Sequence, residues 1–247
     1  MAIFRFFETL ESTIDEAHAC VQQGAKEGLV IVAFEQVKGR ARRGRSWENL
    51  PGNLYMTFIT YLNYPLSEAL QLSFVTCVAV GEYLRSLLPP GHGITYKWPN
   101  DLLLNGKKVG GLLLEAIPLA DRQETAYLIS CGLNLVSQPL HVRYPTTSFQ
   151  NEGIFISLKE ALYGITTSLE HYISLWKKEG FSPIHSLWMD YAAGLEQKIS
   201  FDLQGKLRIG IFKGINEEGA LLLRTSAGLK KFTAGEILAG EQHASSH

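Results

Sequence analysis

The stretch Lys38-Gly-Arg-Ala-Arg-Arg-Gly-Arg-Ser-Trp47 places five cations and two glycines in its first eight residues and then adds an indole. Glycine lets a backbone turn and bring its N–H groups close to a ligand, while arginine forks match phosphate and carboxylate oxygens. Two apolar, β-rich runs flank the stretch, Leu29-Val-Ile-Val-Ala-Phe34 before it and Leu54-Tyr-Met-Thr-Phe-Ile59 after it. They predict a charged loop hung between two neighbouring strands. A solvated basic loop and a patch for nucleic acid are the alternatives. The strand setting favours a site for a polyanionic small molecule, because charged loops on rigid sheets are where ligands bind. Five like charges and two glycines also predict mobility until an anion pairs the charges.

Working outward, Ser12-Thr-Ile-Asp15 has the form of a helix start, followed by apolar Ile14, Ala17 and Val21 and a stop at Gly24. Gln36 precedes the loop. It is either a polar residue at a strand edge or an amide aimed at a neutral ligand group. Trp47 is open to the same two roles, core side chain or pocket wall. Downstream, Ser67 to about Leu88 shows a nearly continuous apolar helix pattern, ended by Pro89-Pro-Gly91 and expected to lie against the sheet.

Ile94 to Trp98 then predicts a strand, and Leu102-Leu-Leu-Asn-Gly-Lys-Lys-Val109 a hairpin whose Asn105-Gly106 pair marks a type I′ turn. Lys107 and Lys108 are consecutive on one strand, so their side chains point to opposite faces and only one faces a pocket. Gly110, Gly111 and Gly132 interrupt strand patterns, which marks a bulge or a close approach by a ligand. Asn134 follows as either an amide for a nucleobase or a loop cap. Residues 138–153 form an irregular segment long enough to be functional. Helices are expected from Ser157 to about Lys178 and from Pro183 to Ala192. After Gly194 the texture becomes short strands with Gly turns, Lys198–Leu203, Leu207–Ile215, Ala220–Thr225 and Leu229–Thr233.

Length and composition set the outer limits. A chain of 247 residues with 46% hydrophobic side chains can build one large core, with or without a small second unit. A net charge of −1 gives no global field for DNA or a membrane surface, so the basicity is local to one loop. Cys20, Cys77 and Cys131 are odd in number and widely spaced, which suggests neither a disulfide framework nor a zinc site. The N-terminus lacks the features of a signal peptide and no apolar run reaches transmembrane length, so a cytoplasmic protein is expected.

Together with Lys97-Trp-Pro-Asn-Asp101, Lys108-Val-Gly-Gly-Leu-Leu-Leu-Glu115 and Gly132-Leu-Asn134, the basic run resembles the signature of biotin protein ligases, which attach biotin to carboxylase carrier domains. The four blocks come in that family's order, and the similarity runs from about Phe7 to about Leu238. The resemblance implies an α+β fold: a mixed or antiparallel sheet with helices packed on it, like a class II synthetase-type catalytic domain, over residues 1–193. A small SH3-like β-barrel over 194–240 and a disordered tail over 241–247 complete the expectation. Because the similarity begins so early, no N-terminal winged-helix domain and no DNA binding are expected.

The implied activity condenses biotin with Mg-ATP to biotinyl-5′-AMP and passes biotin to a lysine of a biotin carboxyl carrier protein, as in acetyl-CoA carboxylase. Attack of a carboxylate on the α-phosphate brings two anions together, so the site has to supply positive charge. Lys108, Arg42 and Arg45 are the expected catalytic residues. Ser12, Thr13, Gln36, Gly39, Arg40, Trp47, Lys97, Asn100, Asp101, Gly111, Gly132 and Asn134 are expected to bind biotin and ATP. No metal site built from the protein is expected, magnesium arriving with the nucleotide, and no membrane partner. A homodimer stays open. The rivals are a lipoate or octanoate ligase or transferase of the same fold and a nucleic-acid-binding module. The chain departs from the family pattern at Ile14, at Ala41 in place of glycine, and at Ser130 and Cys131 in place of small Gly or Ala.

Overall fold

The computed structural model describes residues 2–64, 66–119, 124–140, 142 and 144–238. The expected tail, with His243 and His247, lies outside the described residues. Seven strands, β1 (Ile3–Leu10), β2 (Leu29–Gln36), β3 (Leu54–Leu62), β4 (Ile94–Lys97), β5 (Asp101–Leu104), β6 (Lys107–Pro118) and β7 (Thr125–Leu133), form one mixed sheet. Its order is β1-β2-β3-β7-β6-β5-β4. β1 and β2 run parallel, joined by the helix α1 (Thr13–Gln22), and the other neighbours are antiparallel.

The apolar runs that flank the basic loop are continuous because both faces of the central strands are covered. On one face Val30, Val32, Met56 and Phe58 join the main core with α2 (Leu66–Ser86), α3 (Leu158–Glu179) and α4 (Ser182–Asp190). On the other, Ile31, Ile59 and Leu128 pack against Ile14, Ala17 and Val21 of α1. Side chains alternate across a strand, so a run buried on both faces has no polar alternation to show. α3 starts where expected, with Ser157 Oγ accepting the Glu160 N–H at 3.1 Å.

The C-terminal strands β8 (Lys198–Leu203), β9 (Lys206–Ile215), β10 (Leu221–Thr225), β11 (Gly228–Phe232) and β12 (Glu236–Ile237) make an antiparallel sheet in the order β11-β10-β9-β8-β12. Its apolar residues Phe201, Phe212, Leu221, Leu223 and Ile237 belong to the same core as the large sheet. Trp98 crosses between them: its indole N–H donates to Gly219 O at 3.2 Å and its ring lies 5.9 Å from that of Phe201.

Two strands were not expected from the sequence. β1 holds eight residues of mixed apolar and polar character without clean alternation, and pairing with β2 along its length makes the strand. β12 is two residues long, held by Asp202 and Phe201 of β8. Among the described residues no helix is long and apolar enough to cross a membrane, no cluster of His, Cys, Asp or Glu suits a metal ion, and the three cysteines are buried free thiols.

Candidate active site

A cleft of about 870 Å³, counted with its open mouth, lies over the β3, β7 and β6 strands. The start of α1, the basic loop between β2 and β3, the β4–β5 turn and Glu236 enclose it. Its inner end is polar and closely bonded. Ser12 caps α1, its Oγ accepting the Ile14 N–H at 3.3 Å. The Thr13 N–H and hydroxyl both donate to Gln36 Oε1, at 2.8 and 3.1 Å. Gln36 is itself fixed by its backbone N–H, which donates to Asn49 Oδ1 at 2.9 Å. Behind Thr13, Thr57 on β3 bonds to Thr13 at 2.9 Å and to Ser130 on β7 at 2.8 Å.

Trp47 forms a side of the cleft, and two glycines explain how it fits. A Cβ on Gly111 or on Gly132 would stand 2.8 Å from the indole, so the ring lies on bare backbone. The Lys108 ammonium sits 5.3 Å from the centre of the Trp47 ring and 5.2 Å from that of Tyr144. Lys107 and Lys108 point to opposite faces: Lys107 bonds Glu152 at 3.1 Å, and Lys108 enters the cleft and bonds Asp101 at 2.7 Å. Asn105 and Gly106 have φ of 51° and 78°, the left-handed pair that a type I′ turn needs and that sets this phase.

Lys97 and Asp101 face each other across the β4–β5 turn, whose Trp98–Pro99 peptide is cis. Their charged groups are 4.0 Å apart, so one carboxylate serves both Lys97 and Lys108. Burial lowers the Lys97 ammonium from its ordinary value, Asp101 opposes that and Lys108 adds to it. Burial likewise lowers the Arg42 guanidinium, helped by Arg43 alongside. Among the described residues lining the cleft, Arg40, Arg42, Arg45 and Lys108 are cations, against the carboxylates Asp101 and Glu236, so these residues carry excess positive charge.

The basic loop is tied down, in contrast to the expected free and mutually repelling charges. Arg40 is held between Asp15 of α1, at 2.7 Å, and Glu115 of β6. Arg42 donates to Asn100 Oδ1 at 3.1 Å. Arg43 reaches Asp202 at 3.4 Å and Glu236 at 3.7 Å, and Arg45 reaches Glu236 at 2.9 Å. Carboxylates from both sheets replace the anion that the loop was expected to await. Ala41, where a glycine would answer a need for positive φ, has φ −130°. The left-handed residue is Arg43, with φ 59°, so Ala41 carries no left-handed backbone strain in this conformation.

Most of the expected site residues therefore meet in one cleft. Gly39 and Lys97 lie behind its lining, Gly39 beneath Trp47, where a Cβ would come within 2.6 Å of the Trp47 carbonyl oxygen. Asn134 is buried outside the cleft lining; its Nδ2 donates to Thr147 O at 3.0 Å and its backbone N–H to Val109 O at 2.8 Å, which makes it a loop clamp. Residues the sequence did not single out are Thr57, inside an apolar strand, and Asp15, Glu115, Tyr144 and Glu236, which are remote from one another in the chain. Ser130 was marked only as a departure from the family pattern.

A mixed sheet bearing a cleft with a polar inner end and a cationic outer end defines a protein that binds an extended, partly anionic small molecule. The family described as Biotin/lipoate A/B protein ligase matches residues 6–135. The one described as Biotin protein ligase C terminal domain matches residues 195–240. The chain is 34% identical to the biotin–[acetyl-CoA-carboxylase] ligase of Paracoccus denitrificans, over 85% of this chain and 90% of that protein. It is 32% identical to the bifunctional ligase/repressor BirA of Bacillus subtilis, over 95% of this chain and 73% of that protein. Among solved structures it resembles the biotin protein ligase of Aquifex aeolicus in complex with biotin and ATP, with a TM-score of 0.80, 25% identity and coverage of 96% and 98% of the two chains. The chain belongs to the biotin/lipoate A/B protein ligase family.

Proposed function

We infer that the chain is an ATP-dependent ligase that activates biotin as biotinyl-5′-AMP and transfers it to a lysine of a biotin carboxyl carrier protein, as in acetyl-CoA carboxylase. The observation that carries this is the polarity of the cleft. Its inner end offers Ser12, Thr13 and Gln36 to a neutral polar ring, and its outer end offers Lys108, Arg42 and Arg45 to reacting anions. A lipoyl or octanoyl chain has no use for an amide and hydroxyl floor, and the relatives above are named as biotin ligases.

In the first step the carboxylate of biotin attacks the α-phosphate of ATP and pyrophosphate departs. Lys108 would exchange Asp101 for the reacting oxygens, while Arg42 and Arg45 take the phosphate charge and Trp47 covers the ring side. The donor set fits a magnesium ion carried by the nucleotide, with Asp101 or Glu236 as its single protein carboxylate, and the ion would neutralise departing phosphate charge. A covalent enzyme intermediate is not part of the scheme: among the described residues no histidine lines the cleft, and burial pushes the Cys131 thiol up to about 12. In the second step the carrier lysine is the nucleophile. The proposal further assigns residues 1–193 to catalysis and 194–240 to a C-terminal unit, and includes no DNA ligand.

Incubation with biotin and Mg-ATP should release pyrophosphate and yield a mass matching biotinyl-adenylate, and lipoate should yield neither. Adenylation of lipoate in preference to biotin would refute this assignment.

A further inference from the structure

Thr57 is a fully buried hydroxyl in the middle of an apolar strand, and Ser130 is its partner across the β3–β7 ladder. The direction of every hydrogen bond they make follows by elimination. The Thr13 N–H donates to the Gln36 side chain at 2.8 Å, so the accepting atom is the amide oxygen and not the nitrogen. The Thr13 hydroxyl, 3.1 Å from the same oxygen, also donates to it. With that proton used, Thr13 accepts from Thr57 at 2.9 Å, and Thr57 in turn accepts from Ser130 at 2.8 Å. The relay runs one way, from Ser130 through Thr57 and Thr13 to Gln36.

Both ends of the relay line the cleft. At one end Gln36 Nε2 has no hydrogen-bond partner among the described residues and is a donor. At the other, the Ser130 hydroxyl has given its proton away and presents lone pairs alone. A cyclic urea carries one carbonyl acceptor flanked by two N–H donors, which complements that pair.

We propose that Ser130 is a specificity-determining residue: its oriented hydroxyl accepts one ring N–H of the ureido group of biotin, while Gln36 donates to the ureido carbonyl. This rests on the ligase assignment above. Glycine or alanine at this position would end the relay at Thr57 and leave the N–H without a side-chain acceptor. A ligand with a lone pair in place of that N–H would face the Ser130 lone pairs, and sites built to bond a polar group reject such analogues strongly.

The test is calorimetric titration of the purified protein with biotin, lipoate and the two cyclic carbamate isomers of biotin, each with one ring N–H replaced by oxygen. The wild type should bind biotin and reject one carbamate isomer by roughly 100-fold. Ser130→Ala and Ser130→Gly should each weaken biotin about tenfold and shrink that carbamate penalty to less than about fivefold. Thr57→Val frees the Ser130 proton, so it too should shrink the penalty. A penalty unchanged in Ser130→Ala and Ser130→Gly, or a wild type indifferent to both carbamates, overturns the assignment of Ser130. A wild type that binds no biotin, or prefers lipoate, overturns the ligase assignment instead.

Discussion

Replacing Gly132 with alanine tests how Trp47 shapes the cleft. The new Cβ would lie 2.8 Å from Trp47 Cε2, 3.0 Å from Nε1 and 3.1 Å from Cζ2. Non-bonded carbons rest about 3.5–4.0 Å apart, so the ring has to withdraw by roughly 0.7 Å. It cannot slide across to Gly111, which pairs with Gly132 across β6–β7 and whose own Cβ would stand 2.8 Å from Cζ3. The indole therefore lifts, and its backbone N–H, which donates to Gly39 O at 2.8 Å, carries the strain to the loop. Overpacking costs about 1–3 kcal/mol, and a wall on a loop gives way more easily than a core. We expect about 1–1.5 kcal/mol, a five- to tenfold loss of biotin affinity by titration calorimetry. Gly111→Ala should act alike, and the double variant should lose less than the product of the two, because the ring lifts once. In a Trp47→Ala background Gly132→Ala should be nearly neutral. An undiminished loss there, or strictly additive losses, would refute the contact as the cause.

Lys108→Ala should lower the adenylation rate at least about tenfold more than Lys107→Ala, measured by pyrophosphate release, because only Lys108 enters the cleft; equal losses would mean the charge has no such role. The pairs of Arg43 and Arg45 with Asp202 and Glu236 are partly exposed and so weak, which predicts that trypsin cuts after Arg42 or Arg43 more slowly once biotin and ATP are bound. Equal cleavage with and without them would show that the loop is no clamp. Arg42→Gly should leak adenylate, visible as biotin on unrelated lysines. Hydrogen bonds from Thr147 and Asn105, with Lys107 beside them, hold the Glu152 carboxyl down at about 2. A depressed carboxyl stabilises above its ordinary value and loses that contribution as pH falls through the folded one. Wild type should therefore lose stability relative to Glu152→Gln as pH falls from 4.5 to about 2, and parallel denaturation curves for the two proteins over that range would contradict it.

Local chemistry was legible wherever it had a local cause. The Asn105-Gly106 turn sets the phase of β6, and that phase alone separates Lys107 from Lys108. The glycines at 111 and 132 mark a close approach in the sequence, and only the fold brings the Trp47 ring onto them. Asn134 shows the limit, because a backbone carbonyl 13 residues away in the chain, that of Thr147, decides what its amide does. Tyr144 and Glu236 enter the cleft, and Glu115 pairs with Arg40 at its edge, through contacts that no spacing encodes; Glu236 meets Arg45 across 191 positions. Thr57 was hidden by its neighbours, since a hydroxyl in an apolar strand suits β propensity with or without a task. The charge count of the basic loop was plain, but its partners come from α1, β6, β8 and β12 and could not be counted beforehand.

The position of Glu236 has a meaning in time as well as in space. Synthesis delivers Ser12 first and Glu236 more than two hundred residues later, and the cleft needs both ends of that interval. Trp98, at the turn beside the cleft, likewise waits for Gly219 and Phe201 to find its indole partner and its neighbouring ring. A nascent chain can pair β1 to β7 as they emerge, yet the wall of its cleft stays unfinished until the strand at Glu236–Ile237 has left the ribosome.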